Sequence, residues 1–78
     1  MDRDRQIDIA LSTLNAMDIG TIDSLREKLR QVEQALAALE ESELVERAAE
    51  VEAALLRGDL AEFRRGRAFL QAKIGHLR

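Results

Sequence analysis

The chain has no cysteine, proline, tryptophan or tyrosine, and among its 78 residues only one histidine and two phenylalanines. Each absence excludes something. Without cysteine there are no disulfides and no thiolate metal sites, which fits a reducing compartment, so the expected location is the cytoplasm. His76 alone cannot build an imidazole-rich metal cage. No apolar run approaches the ~20 residues of a membrane span. The opening Met1-Asp2-Arg3-Asp4-Arg5 mixes charges and has no apolar core, so it does not read as a signal peptide. No glycine-rich phosphate loop, nucleophile elbow or zinc-ligand spacing occurs. The expectation is therefore a protein that is not an enzyme and carries no cofactor and no metal.

What remains is helix. Leu, Ala, Glu and Arg dominate, and 12 of the residues in the 46% apolar fraction are alanine. The expected fold class is all-α, a single helical domain over residues 1–78. A chain this short buries only about 60–65% of the surface its unfolded form exposes. It therefore calls for near-ideal helix packing or a second subunit.

The net charge of −3 is less informative than its distribution. Residues 40–52 carry Glu40, Glu41, Glu43, Glu46, Glu50 and Glu52 against Arg47 alone. Residues 57–78 carry Arg57, Arg64, Arg65, Arg67, Lys73 and Arg78 against Asp59 and Glu62. An acidic block precedes a basic one.

Apolar spacing predicts a first helix over about 3–17, with Ile7, Ala10, Leu11, Leu14 and Met17 on one face. Asp18-Ile19-Gly20-Thr21 then turns the chain, and Thr21 or Ser24 caps the next helix. From Ile22 a heptad seam runs through Leu25, Leu29, Val32, Leu36 and Leu39, the pattern of coiled-coil packing. It resumes, rotated by about 100°, as Leu44, Ala48, Val51 and Leu55. One reading breaks the chain at 40–42, with Ser42 as N-cap, and yields four helices. The other runs one helix from 22 to 57, about 54 Å long at ~1.5 Å per residue. Because no Gly, Pro, Asn or Asp marks a break, the continuous helix is the favoured expectation, in a bundle of three helices.

Gly58 closes that helix, and Asp59 with Glu62 three residues on has the form of a capping box opening a last helix over 60–77. Antiparallel pairing about Gly58 would face Leu44 with Ile74, Ala48 with Leu70 and Leu55 with Phe63. It would also set Glu50 near Arg67, Glu52 near Arg65 and Glu43 near Lys73. The first helix would pair likewise, Leu14 with Leu25, Ala10 with Leu29 and Ile7 with Val32. Gly66, costly in a helix by about 1 kcal/mol relative to Ala, makes sense if another helix passes close by.

On that plan Leu36 and Leu39 have no partner within the chain, and Val45, Ala49 and Leu56 face away from the hairpin seam. Exposed apolar rows of this kind mark interfaces. The expected working surface is Leu36, Leu39, Val45, Ala49 and Leu56, with Phe69 as an anchor. The bundle would be completed by self-association, a homodimer first, and would dock another protein through a helix face. The expected function is a small helical interaction module: an adaptor, small subunit or chaperone-like partner. Helical-hairpin cochaperones of bacterial type III secretion have a similar build.

Other motifs invite sharper readings. Gly58-Asp59-Leu60-Ala61-Glu62, with the arms Leu25-Arg26-Glu27-Lys28-Leu29 and Phe69-Leu70-Gln71-Ala72-Lys73-Ile74, resembles the N-terminal coiled coil of Gre-type transcript-cleavage factors. The resemblance implies that Asp59 and Glu62 hold magnesium in the secondary channel of RNA polymerase, which would make the chain a regulator of a nucleic-acid machine. The family's Asn after the Glu and its Glu-Tyr pair are missing here. Arg57-Gly58-Asp59 looks like the tripeptide integrins read, but here Gly58 and Asp59 punctuate helices. Arg64, Arg65 and Arg67 could contact phosphate, yet the chain is acidic and no aromatics interleave for base stacking, so nucleic acid is not the expected partner.

Overall fold

The structure is a computed structural model and describes residues 2–17 and 20–77. Met1, Asp18 and Ile19 of the expected first turn, and Arg78 of the basic block lie outside the described residues. Among the described residues four helices follow one another: α1 (Arg3–Asn15), α2 (Ile22–Ala38), α3 (Ser42–Leu56) and α4 (Leu60–Gly75). α1 packs on α2 and α4, and α3 packs on α2 and α4, so each helix has two neighbours. Short connections make successive helices antiparallel, and the contact between α1 and α4 closes the bundle.

Each start has a chemical cause. Asp2 accepts from the backbone N–H groups of Asp4 and Arg5 (3.0 and 3.4 Å), and Thr21 Oγ1 accepts from Ser24 N–H (3.1 Å). Asp59 Oδ1 accepts from Glu62 N–H (3.1 Å). These contacts satisfy amides that have no partner within the helix. At α3 the cap residue is Glu41, not Ser42, and its side chain makes no capping bond.

The favoured continuous helix from 22 to 57 is not what forms. The longest dimension of the molecule is 34 Å, too short for a 54 Å rod. The break falls at residues 39–41, where Glu40 adopts φ 60°, in the left-handed region. Glu40 N–H donates to Ala37 C=O (3.0 Å) and Glu41 N–H to Leu36 C=O (3.1 Å), the paired bonds of a Schellman motif. The same two bonds recur after α3, where Gly58 N–H donates to Leu55 C=O (3.1 Å) and Asp59 N–H to Ala54 C=O (2.9 Å). Gly58 has φ 78°, so both turns are built alike, one with glycine and one with glutamate. Folding α3 back buries both halves of the apolar seam, which offsets the strain at Glu40.

The buried side chains form one cluster. α1 supplies Ile7, Ala10 and Leu14; α2 supplies Leu29, Val32, Ala35 and Leu36. α3 adds Leu44, Ala48, Val51, Ala54 and Leu55, and α4 adds Phe63, Leu70 and Ile74. Nearly all the residues of the expected antiparallel pairings lie on these buried faces; Leu25 is partly buried. Gly66 is also buried, and a Cβ there would overlap Val51 Cγ2. α3 and α4 approach closely at that point because glycine stands there.

The expected ionic rows along the α3–α4 hairpin are redistributed. Glu52 pairs with Arg26 of α2 at 3.1 Å rather than with Arg65, and Arg65 pairs with Glu62 one turn away at 2.8 Å. Glu50 is held by Arg47 at 2.8 Å. α3 lies between α2 and α4, so Glu52 turns to α2 and Glu50 to the helix's own arginine, while Arg47 reaches Glu62 of α4. α4 also reaches α1, through Gln71 Nε2 donating to Asn15 Oδ1 (2.8 Å).

Candidate interaction surface

Of the six residues expected to form the working surface, two are internal. Leu36 is fully buried and Leu39 nearly so. Their missing partners are supplied by the chain itself, because the turn at Glu40 brings α3 back alongside α2. Val45 is partly buried against the core, Ala49 is exposed, and Leu56 is 51% exposed. Val45, Ala49 and Leu56 recur at four- and seven-residue steps with Glu52, which bonds to α2, so they lie on the α2 flank of α3. Val45 and Ala37 share a groove of about 470 Å³ at the head of this flank.

Phe69 lies elsewhere, on the opposite flank of α3. The residue is 40% exposed in a groove of about 720 Å³ between α3 and α4. Arg47 stands 5.2 Å from the ring centroid and Lys73 5.6 Å, both within cation–π range. The α3 wall of this groove carries Glu41, Glu43, Glu46 and Glu50, and the α4 wall carries Lys73 and His76. Among the described residues Glu50 is tied to Arg47 and Glu41 to Arg3 (3.7 Å), whereas Glu43 and Glu46 form no ion pair. Arg47 also reaches Glu62 at 3.7 Å, yet its Nε is buried without an acceptor.

Three exposed apolar residues were not expected: Ile9 (37%), Ile22 (52%) and Leu60 (51%). Ile22 is the first residue of α2, Leu56 the last of α3 and Leu60 the first of α4, so the antiparallel order brings all three to one end of the bundle. Ile22 lies one turn beyond Arg26 and Leu56 one turn beyond Glu52, and the Arg26–Glu52 bond holds these two helices level. The available signal was position: the terminal member of a seam has no further layer to bury it.

The tip carboxylates are engaged. Asp59 caps α4 through Oδ1 and faces Arg57 through Oδ2 at 3.7 Å. The capping box is only half made, since Asp59 N–H donates to Ala54 C=O while the Glu62 carboxylate turns to Arg65 and Arg47. The hydrogen bond to Glu62 holds the Arg65 guanidinium above its ordinary pKa. Among the described residues no group of three His, Cys, Asp or Glu side chains is disposed to hold a metal ion. None of the described helices is long and apolar enough to cross a membrane. Glu33, half-buried on α2, has its pKa raised by burial and by Glu52, against the opposing pull of Arg30.

No family model matches the chain, and neither a curated protein nor a solved structure matches it.

Proposed function

We propose that this chain is a small, non-enzymatic helical interaction module that acts as a homo-oligomer and presents helix faces to another protein. The observation that carries the reading is the placement of four of its five exposed large apolar side chains among the described residues, Ile9 on α1 being the fifth. Ile22, Leu56 and Leu60 gather at one end of the bundle, and Phe69 opens into the α3–α4 groove. Single exposed apolar residues are ordinary on a protein surface, but a group at one end gives an association site something to bury. Docking would be helix on helix, with Val45 and Ala49 extending the Leu56 flank along α3.

The reading differs in one respect from what the seam alone suggested. Leu36 and Leu39 serve the core, so association is an addition to a closed bundle and not a condition of folding. Sedimentation equilibrium from micromolar to near-millimolar concentration tests the homo-oligomeric part. The expected result is a mass rising toward twice the 8.8 kDa of the chain. A mass that stays at one chain throughout contradicts it.

A further inference from the structure

The α3–α4 face carries an arrangement of charge that is complementary to itself. On its α3 side stand Glu43, Glu46 and Glu50. On its α4 side Arg65, Phe69 and Lys73 follow one another at four-residue steps, which places them in one row along the helix. Arg65 is well exposed, Phe69 sits half out of the surface, and Glu43 and Glu46 have no cation of their own among the described residues. An aromatic anchor flanked by two cations therefore lies beside an acidic wall.

We propose that a second copy of this chain covers this face, with α3 of each protomer lying over α4 of the other. This rests on the homo-oligomeric reading above and names its surface. A two-fold axis in the plane of the interface, parallel to the helices, exchanges the α3 and α4 sides while keeping each residue at its own height along the bundle. Gly66 abuts Val51, and in an antiparallel pair that register sets Lys73 within about one turn of Glu46 in height, which brings Glu46 opposite the partner's Lys73. The alternative, α3 on α3, sets one acidic wall against another and is repelled. Both Phe69 rings are then removed from water near the axis, each between cations it already faces. Ala53 and Ala72, exposed and small, let the helices approach. The bundle measures 34 × 20 × 17 Å, so its broad face is close to the ~800 Å² per partner of a standard interface.

Sedimentation equilibrium on four variants of the full chain tests this. Phe69→Glu should remain at one chain mass with its helical circular dichroism intact, whereas Leu56→Glu should still dimerise. Glu46→Lys and Lys73→Glu should each weaken dimerisation by about tenfold or more. An equimolar mixture of those two should restore it, because each mutated residue then meets its opposite charge and the native pair survives on the other side of the axis. If Phe69→Glu loses helicity, the charge-swapped mixture decides alone. A dimer that persists in Phe69→Glu, or one that dissociates in Leu56→Glu instead, overturns the face while leaving the homo-oligomeric reading intact. A mixture that stays monomeric overturns the α3-on-α4 arrangement. A wild-type chain that is monomeric at near-millimolar concentration overturns both.

Discussion

Glu40 decides where this chain folds. Its φ of 60° puts a branched backbone position where glycine usually stands after a helix, and a side chain there costs roughly 1–2 kcal/mol. Glu40→Gly should therefore stabilise the protein by about 0.5–1 kcal/mol, read as a higher midpoint in thermal or urea unfolding. An unchanged or lower midpoint would mean that the turn at 39–41 is not left-handed. The same residue explains why the break was hard to read. Gly58 announces its turn because glycine is the ordinary occupant of that conformation, whereas Glu40 lies in a run of good helix formers. A weaker signal did exist. The seam steps by three and four residues up to Leu39 and then by five to Leu44, a step that no continuous seam takes.

The helices as elements were legible where local chemistry governs them. The apolar stripe of α1, the cap at Asp59 and the close approach at Gly66 follow from spacing and residue type, and of the two candidate caps for α2 it is Thr21 that serves. The ion pairs did not, because long charged side chains choose among several neighbours, and the neighbours changed once α3 lay between α2 and α4. The α3–α4 contact gives a test in which two effects oppose. In an isolated helix Gly66→Ala should gain about 1 kcal/mol, but here the new methyl meets Val51, and overpacking costs about 1–3 kcal/mol. The net expectation is a loss of about 1 kcal/mol. Combining it with Val51→Ala should recover at least about 1 kcal/mol of coupling in a double-mutant cycle by urea unfolding. A stabilising Gly66→Ala would show that the two helices stand further apart.

For the molecule as a whole, the turn at Glu40 sorts apolar residues into inside and outside. Leu36 and Leu39 go in and close a four-helix core. Leu56 and Phe69 stay out, on two different flanks, where they are free to meet other chains. Helical periodicity alone could not make this division. It reports which residues share a stripe, but not how many neighbours the stripe will have. The most direct measurement is therefore urea unfolding of Leu36→Ala beside Phe69→Ala, at concentrations low enough to keep the chains apart. Leu36→Ala leaves a cavity in a packed core and should lose about 2–5 kcal/mol, while Phe69→Ala should lose less than about 1 kcal/mol. If Phe69→Ala proves the more damaging of the two, or Leu36→Ala is neutral, α3 does not fold back on α2 as described.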